Sequence, residues 1–161
     1  MSFFISLLLL FSSLIELHQE TPHTTSDKTE QTEASVEETV NEFFNAMRKS
    51  DGAGMEKFLM AGATLHTVTS SDEENPMLRE TALDAFLNSV SEAEPGALDE
   101  QLTSFTSHVD GDLSTAWMGY NFYYNGEFSH CGINTMNLLN TATGWKIFSI
   151  VDTRRQQGCD A

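Results

Sequence analysis

Three turn dipeptides in the second half of the chain constrain its fold more than any other feature. Asp110-Gly111, Asn125-Gly126 and Thr143-Gly144 each separate two runs that are rich in Val, Ile, Phe, Tyr, Trp and Thr. Asn-Gly in particular supplies the positive φ angles that a two-residue hairpin turn requires. The spacing predicts an antiparallel meander of four strands, at residues 98–109, 112–124, 127–141 and 144–154.

The first half of the chain has helical periodicity instead. Residues 35–38 read Ser-Val-Glu-Glu, which matches the capping box, where a Ser hydroxyl and a Glu carboxylate bind the free amides of a first helical turn. We therefore expect a helix to begin at Ser35. Its apolar face is predicted by residues at helical spacing, namely Val36, Val40, Phe43, Phe44 and Met47.

Further elements follow this helix. Residues 51–54, Asp-Gly-Ala-Gly, are expected to end it, and a short amphipathic turn should continue as far as Gly62. Residues 63–69 are a candidate strand and residues 70–76 a polar loop. A third helix, ended by Pro95-Gly96, is predicted by Leu83, Phe86, Leu87 and Val90. Helices followed by a meander indicate an α+β fold, with about three helices packed on one face of a strongly curved, mostly antiparallel sheet.

Chain length and the amino-terminal segment set the domain organisation. The chain of 161 residues has the length of one domain. Its apolar block, residues 3–15, is shorter than the roughly 20 residues of a membrane span and typical of a secretory signal. The signal is atypical, since no Lys or Arg precedes the block and no small-x-small cleavage site follows it. An uncleaved anchor or a misassigned start is the alternative.

We therefore predict an exported protein, periplasmic or secreted, with four segments. They are a signal peptide at residues 1–19, an acidic flexible linker at 20–34, a folded domain at 35–156 and a tail at 157–161.

The charge of the chain excludes one class of partner. With 24 acidic and 8 basic residues the net charge is -16, whereas binding to a phosphate backbone needs clustered Lys and Arg. We expect neither nucleic acid nor an anionic membrane surface as a partner. No cofactor and no metal are predicted, because the folded part has no two His within four residues and zinc sites usually show paired ligands at short spacing.

Apolar side chains occupy both faces of the second meander strand. Trp117 and Leu113 have one parity, and Met118 and Tyr120 have the other. Either a bulge shifts the register or both faces are covered. Because the helices can cover only one face, we predict a homodimer that forms through the sheet.

The order of elements and five motifs resemble a known superfamily. The motifs are Trp117-x-x-Tyr120-x-Phe122, Asn125-Gly126, Ser129-His130-Cys131-Gly132, Gly144-Trp145-Lys146-Ile147 and Asp152-Thr153-Arg154. With them, residues 35–159 resemble the nuclear transport factor 2-like superfamily, and within it the bacterial exported proteins called SnoaL-like or lumazine-binding. The resemblance implies a cone-shaped, cystatin-like α+β fold, a curved sheet around a deep apolar pocket and dimerisation through the sheet. It implies no single activity, since the superfamily includes isomerases, dehydratases, cyclases and transport factors.

Two residues are candidates for a general base. His130 interrupts an apolar, small-residue strand, and a neutral imidazole could act as a base or donate to a ligand carbonyl. Alternatively, it is a structural His bound by Asp152 or by a backbone carbonyl. Asp152 ends an apolar strand, and the resemblance suggests that it acts with His130 and Tyr120, because superfamily enzymes pair a pocket carboxylate with Tyr or His. The alternative is an ion pair of Asp152 with Arg154 or Arg155 at the sheet edge.

A further carboxylate, Glu100, is a weaker candidate. Its neighbours Asp99 and Gln101 indicate an exposed start of a strand.

Aromatic and polar side chains are candidates for ligand binding. The aromatic residues Trp117, Tyr120, Phe122, Tyr124 and Trp145 could stack a flat heterocycle or a steroid-like ligand, although such residues can equally be core or interface. Asn134 shares the parity of His130 and could add a polar contact in the cavity. His66, on the first strand, could be a functional residue or a structural one, whereas His108 is interpreted as a solvated turn residue. Arg154 could locally override the negative field and accept an anionic ligand.

Cys131 and Cys159 are the only cysteines of the chain. An exported protein meets an oxidising compartment, and the two can pair if the tail folds back along the third meander strand. Such a disulfide would close a loop of about 29 residues and stabilise the protein by about 3–4 kcal/mol in the chain-entropy model. Alternatively, Cys131 is a buried free thiol and Cys159 a reactive one.

Three functions remain open from the sequence. The first is an exported, dimeric protein that binds a small apolar or aromatic molecule in its cone. The second is an enzyme of the isomerase, dehydratase or cyclase type, with Asp152 or His130 as base and Tyr120 as hydrogen-bond donor. The third is a non-catalytic protein-interaction module that uses the sheet face.

Overall fold

The structure, a computed structural model, describes residues 25–70 and 75–159. The predicted signal peptide and residues 20–24 of the predicted linker lie outside the described residues. Within the described part, no helix is both long and apolar enough to cross a membrane.

The described residues form three helices and six strands. In order they are α1 (Thr25–Arg48), α2 (Gly52–Glu56), β1 (Leu59–Ser70), β2 (Pro76–Thr81), α3 (Leu83–Glu92), β3 (Leu98–Asp110), β4 (Leu113–Tyr124), β5 (Glu127–Thr141) and β6 (Gly144–Thr153).

The six strands form one sheet in the order β2-β1-β6-β5-β4-β3. β1 and β6 run parallel, and the other neighbouring pairs are antiparallel. Register shifts interrupt every pairing except that of β1 with β2. Because a bulge bends its strand and increases the local twist, these shifts curve the sheet, which remains unclosed. The predicted α+β fold with a curved sheet is confirmed.

The predicted meander is confirmed as β3 to β6, and each bound agrees with the expected one to within one residue. Asn125 and Gly126 have φ angles of 51° and 81°, so the dipeptide forms the turn with two positive φ angles that its sequence favours. The predicted third helix is confirmed as α3.

The core lies between α1 and the concave face of the sheet. Val36, Val40 and Phe43 of α1 are almost completely buried. They belong to one apolar cluster with sheet residues Met118, Met136, Leu138 and Ile147. Along β5 the buried residues Asn134, Met136 and Leu138 alternate with more exposed ones, which fixes the face that points toward the helices.

The first helix begins ten residues earlier than predicted, at Thr25 rather than Ser35. Residues 25–34, which the sequence assigns to a linker, are helical, and the capping-box interpretation is wrong because Ser35 lies inside the helix. The Ser35 hydroxyl donates to the Thr32 carbonyl over 2.7 Å and accepts from the Trp145 indole Nε1 over 3.0 Å. Since nucleation and not propagation is the unfavourable step in helix formation, a helix held by its buried residues extends toward its amino end at little cost.

The region between α1 and α3 also departs from the prediction. β1 begins at Leu59, where the sequence suggested a helical turn, and Gly62 sits in the bulge of this strand with a φ angle of 79°. β2 begins at Pro76, the last residue of the predicted loop. It was missed because it is an edge strand with five consecutive exposed residues, and it therefore lacks apolar alternation.

Candidate functional site

A cavity of about 300 Å³ lies between the concave face of the sheet and helices α1 and α3. Most of its wall is apolar, contributed by Phe43, Phe44, Met47, Leu65, Phe86, Leu98, Phe122, Met136 and Ile150. Its titratable and amide side chains are Arg79, Glu100, Tyr120, His130, Asn134, Asp152 and Arg154. A few polar groups in a mostly apolar concavity are typical of small-molecule sites.

Strand register brings these polar side chains together in two rows across the sheet. In the first row, Phe122 of β4 pairs with Glu100 of β3 on one side and with His130 of β5 on the other. In the second row, Asp152 of β6 pairs with Asn134 of β5 and with Thr67 of β1. Neighbouring strands lie about 4.8 Å apart, so each row crosses the concave face within reach of one small ligand.

Glu100 connects the two rows. Its Oε1 accepts a hydrogen bond of 2.5 Å from the Asn134 amide Nδ2. Burial raises the pKa of Glu100 to about 8, because the Asn134 hydrogen bond and the positive charge of Arg154 offset desolvation and the negative charge of Asp152 only in part. This carboxyl group therefore gains and loses a proton close to neutral pH.

The start of β3 is fixed by the last residue of α1. Arg48 forms an ion pair with Asp99, with 2.5 Å between Nε and Oδ1, and its Nη2 donates to the Glu100 carbonyl over 3.3 Å. Although burial opposes it, hydrogen bonds from Gln101 and Arg48 lower the pKa of Asp99. The two adjacent carboxylates thus differ in role: Asp99 anchors the strand outside the cavity, and Glu100 lies in its wall.

Asp152 is buried and has a hydrogen-bond partner on each oxygen. Oδ1 accepts from the Thr67 hydroxyl over 2.5 Å, and Oδ2 accepts from the Arg154 Nε over 2.6 Å. The predicted alternative, an ion pair of Asp152 with Arg154, is therefore present. Its predicted place at a sheet edge is wrong, because β6 lies between β1 and β5. Arg155 is not the partner; its Nε donates to the Gly158 carbonyl.

Tyr120 stands between the two rows and binds the end of β6. Its hydroxyl donates to the Thr153 carbonyl over 2.9 Å and lies 3.5 Å from Asp152 Oδ2. Burial raises the pKa of Tyr120, as do the nearby charges of Glu100 and Asp152, so the phenol keeps its proton. Since a phenol has one proton to donate, the predicted role of Tyr120 as donor to a ligand would require it to release Thr153.

His130 contacts aromatic rings and a neighbouring hydroxyl. Its ring centroid lies 5.1 Å from that of Phe122 and 5.8 Å from that of Tyr120. The Ser129 Oγ lies 3.0 Å from Nδ1. Among the described residues this hydroxyl, and not Asp152 or a backbone carbonyl, is the hydrogen-bond partner of His130. Burial and the charge of Arg154 lower the pKa of His130, which keeps the imidazole neutral at neutral pH.

Solved structures of low sequence identity have the same architecture. An NTF2-like protein with a cystatin-like fold from Novosphingobium aromaticivorans is 13% identical, with a TM-score of 0.63 over 83% of this chain and 88% of that one. A candidate dehydratase of the NTF2-like family from Streptomyces avermitilis is 17% identical, with a TM-score of 0.59 over 82% and 99%. The chain has the nuclear transport factor 2-like fold.

A candidate ketosteroid isomerase from Shewanella frigidimarina shares this NTF2-like fold at 14% identity, with a TM-score of 0.55 over 73% of this chain and 94% of that one. No family model and no curated protein sequence matches the chain. The fold expected from the motifs is thus confirmed. An NTF2-like fold does not by itself assign an activity.

Five of the predicted site residues line the cavity of the NTF2-like cone: Tyr120, His130, Asn134, Asp152 and Arg154. Whether they act on a ligand stays a prediction. The structure places the other four predicted residues away from this wall. Trp117 and Tyr124 are more than half exposed, and His66 on β1 pairs with Glu80 of the edge strand β2. Trp145 is a core residue, 6% exposed, whose indole binds Ser35 of α1.

Glu100 is the site residue that sequence reasoning undervalued. Its charged neighbours suggested an exposed strand start, yet it shares parity with Leu98 and Leu102, which pack on the apolar core. In a strand, residues of one parity line one face, so these two leucines indicate that Glu100 points inward.

The predicted disulfide is present between Cys131 and Cys159. It fastens the residues after β6 to β5. Next to the disulfide, Arg155 and Cys131 exchange two backbone hydrogen bonds of 2.8 Å. Because Cys131 lies between His130 and Gly132, the disulfide holds the tail against the strand that carries the cavity residues.

Among the described residues, no group of three or more His, Cys, Asp or Glu side chains could hold a metal ion.

Proposed function

We propose that the protein is an enzyme that moves a proton on a small, largely apolar substrate with a carbonyl group, and that Glu100 carries the proton. The observation on which this depends is a carboxyl group with a pKa of about 8, bound by Asn134, in the wall of an apolar cavity. A group that titrates near the working pH exists in both protonation states, which favours proton transfer.

Asp152 is a poorer base than Glu100 in this arrangement. Both of its oxygens accept short hydrogen bonds, from Thr67 and from Arg154. These donors would have to be released before Asp152 could accept a proton from a substrate. We assign to it the positioning of Arg154, and we move the role of base from Asp152 and His130 to Glu100.

His130 is the proposed donor to the substrate carbonyl. When the Glu100 carboxylate takes a proton from the carbon next to the carbonyl, the electron pair of that C–H bond forms a carbon–carbon double bond, and the π electron pair of the carbonyl moves to its oxygen. A neutral imidazole can donate a hydrogen bond to the enolate oxygen that results. Return of the proton to another carbon is an isomerisation, and loss of a β-hydroxyl as water is a dehydration.

Hydrogen exchange into ketones in D₂O tests this proposal. Benzylacetone, tetralone and cyclohexanone are incubated with the full chain, and α-proton loss is followed by NMR. We expect exchange above the buffer rate, and a loss of about 100-fold or more in Glu100→Gln. Glu127→Gln, at the exposed first position of β5, is the matched control and should keep the full rate. No exchange with any ketone, or an unchanged rate in Glu100→Gln, would contradict the proposal.

A non-catalytic binding protein is the second candidate. It is favoured by the polar network, because Glu100, Tyr120 and Asp152 already have partners within the protein. Binding of the ketones without exchange, detected as a rise in melting temperature, would support this function over the enzyme.

Export of the protein is part of the proposal. The disulfide between Cys131 and Cys159 is the feature that supports it, since disulfides persist in oxidising compartments. Sequencing the amino terminus of the mature protein from fractionated cells tests it, and a cytoplasmic protein that retains Met1 would contradict it.

A further inference from the structure

Two guanidinium groups line the cavity of a protein whose net charge is -16. Arg154 donates through Nε to Asp152 and through Nη2 to Thr67, the latter over 3.4 Å. Its Nη1 has no hydrogen-bond partner among the described residues, and about half of its side chain is exposed. Arg79 is exposed and, within the part of the chain that the structure describes, forms no hydrogen bond or ion pair.

Strand register places the two groups on the same side of the cavity. Thr67 of β1 pairs with Arg79 of β2 on one side and with Asp152 of β6 on the other. At about 4.8 Å between strands, Arg79 and Asp152 are about 10 Å apart along this row. The Arg154 guanidinium, held by Asp152 and Thr67, lies between these two positions. The long side chain of Arg79 can reach it. Two arginines can therefore converge on one small group at this position.

The charges around the cavity leave an excess of one positive charge. Asp152 balances Arg154, and Glu100 is mostly protonated at neutral pH because its pKa is about 8. Arg79 remains unbalanced by the other lining residues. A ligand with a single negative charge would match this excess, whereas a phosphate dianion would exceed it. The planar fork of the Arg79 guanidinium also fits the two oxygens of a carboxylate, and Arg154 can add a hydrogen bond from Nη1.

We propose that the ligand is a monocarboxylic acid with an apolar body, and that Arg79 and Arg154 bind its carboxylate. The body lies in the apolar part of the cavity, against Phe43, Phe44 and Phe86. The carbonyl group that Glu100 acts on belongs to this body. The inference rests on the proposed function, of which it specifies the substrate class.

Matched acids and amides test this substrate class. Naphthylacetate and hydrocinnamate are compared with naphthylacetamide and hydrocinnamide, which have similar shapes and no charge, by calorimetric titration of the full chain. We expect each acid to bind about tenfold more tightly than its amide, which corresponds to one charge-assisted hydrogen bond. Inorganic phosphate should not compete.

Substitutions test which residues bind the carboxylate. In Arg79→Gln we expect the affinity of the acid to fall about tenfold, to that of its amide, while the amide is unaffected. Arg154→Lys keeps the charge and should lose less affinity than Arg154→Gln. Arg155→Gln is the matched control, since Arg155 binds the Gly158 carbonyl and does not line the cavity. Circular dichroism and melting temperature establish that each variant is folded.

Two results would overturn the inference. If amides bind as tightly as acids, or if Arg79→Gln leaves acid affinity unchanged, the carboxylate site is wrong. Ketone exchange dependent on Glu100 could still occur in that case, so the proposed proton transfer would stand. Conversely, preferential binding of the acids without ketone exchange would keep the carboxylate site and contradict the proposed reaction.

Discussion

The Asn134 amide donates a hydrogen bond of 2.5 Å to the Glu100 carboxyl group and connects two rows of side chains that cross the concave face. This bond opposes the effect of burial on the pKa of Glu100. Asn134→Leu should therefore raise the pKa of Glu100 above about 8, since the charged form loses its donor. NMR titration of the Glu100 carboxyl carbon measures the change.

Asn137→Leu is the control for this prediction. Asn137 lies on the same strand with the opposite parity, and its side chain accepts from the Thr115 hydroxyl. A pKa of Glu100 that stays constant in Asn134→Leu, or that moves equally in both variants, would contradict the assigned hydrogen bond.

Glu100 also makes the stability of the protein depend on pH. Its pKa is raised from 4.5 to about 8 on folding, so the folded state binds the proton more tightly and loses stability as the pH rises through this interval. Glu100→Gln cannot ionise. Its stability relative to the native sequence should therefore increase by about 2 kcal/mol or more between acidic pH and about pH 8.5.

Denaturant unfolding at several pH values measures this difference. The lowered pKa of His130 affects both proteins alike and cancels in the comparison. Glu127→Gln, at an exposed position, should show no such increase. A difference that is independent of pH would mean that Glu100 is not buried as described.

Gly132 has no side chain, and Tyr120 and β6 occupy the space that a side chain there would fill. A Cβ atom at this position would lie 1.8 Å from the Thr153 carbonyl oxygen and 2.8 Å from Tyr120 Cε1. Because the nearest atom belongs to the backbone, Gly132→Ala should destabilise the protein by about 1–3 kcal/mol and displace the Tyr120 hydroxyl from Thr153. Thermal unfolding and the melting temperature measure the first effect, and Tyr ring chemical shifts the second.

Gly119→Ala is the matched substitution. Its Cβ would meet the hydroxyls of Thr103 and Ser104 at 2.6 and 2.8 Å, and rotation of these side chains could relieve the contact. We expect a smaller loss than in Gly132→Ala. Equal losses of stability in the two variants would show that the close approach of Thr153 to Gly132 does not add to the destabilisation.

The sequence predicted the meander well because its signals are local. The turn dipeptides fix where each hairpin reverses, and period-two alternation fixes which side chains share a face. Parity therefore placed Asn134 with His130 correctly, and would have placed Glu100 with Leu98 and Leu102 had its charged neighbours not suggested exposure.

The errors have a different origin, since they depend on contacts distant in sequence. Ser35 was assigned to a helix cap, but its hydroxyl accepts from Trp145, 110 residues away. The sequence predicts Asp152 at a sheet edge, but Thr67 of the neighbouring strand, 85 residues earlier, binds one of its oxygens. Neither contact follows from local pattern, because tertiary packing decides which of several available partners a polar side chain takes.

The predicted homodimer would form through the convex face of the sheet, and it stays a prediction. Trp117 and Leu113 are 56% and 50% exposed, opposite in parity to the buried Met118. If this face forms the dimer, Trp117→Glu should convert the protein to a monomer in sedimentation experiments. Met77→Glu, an equally exposed apolar residue on the edge strand β2, should not. A native chain that is already monomeric at high micromolar concentration would contradict the dimer.

The disulfide should matter both for stability and for the ligand site. Cys131 and Cys159 are separated by 28 positions, and a loop of this size is worth about 3–4 kcal/mol in the chain-entropy model. Reduction should lower the stability by about that amount, and it should also free residue Arg155 from the two backbone hydrogen bonds with Cys131. Arg154, the residue before it, would then be held only by Asp152 and Thr67.

We therefore expect Cys159→Ser to weaken the binding of naphthylacetate more than that of naphthylacetamide, because only the acid uses Arg154. Gln156→Ala is the control: it removes a single hydrogen bond of the tail, to the Ser129 carbonyl, and leaves the disulfide intact. Free-thiol titration of the denatured, unreduced native chain must detect no thiol. Two titratable thiols would contradict the disulfide, and an equal loss of acid and amide binding in Cys159→Ser would show that the tail does not position Arg154.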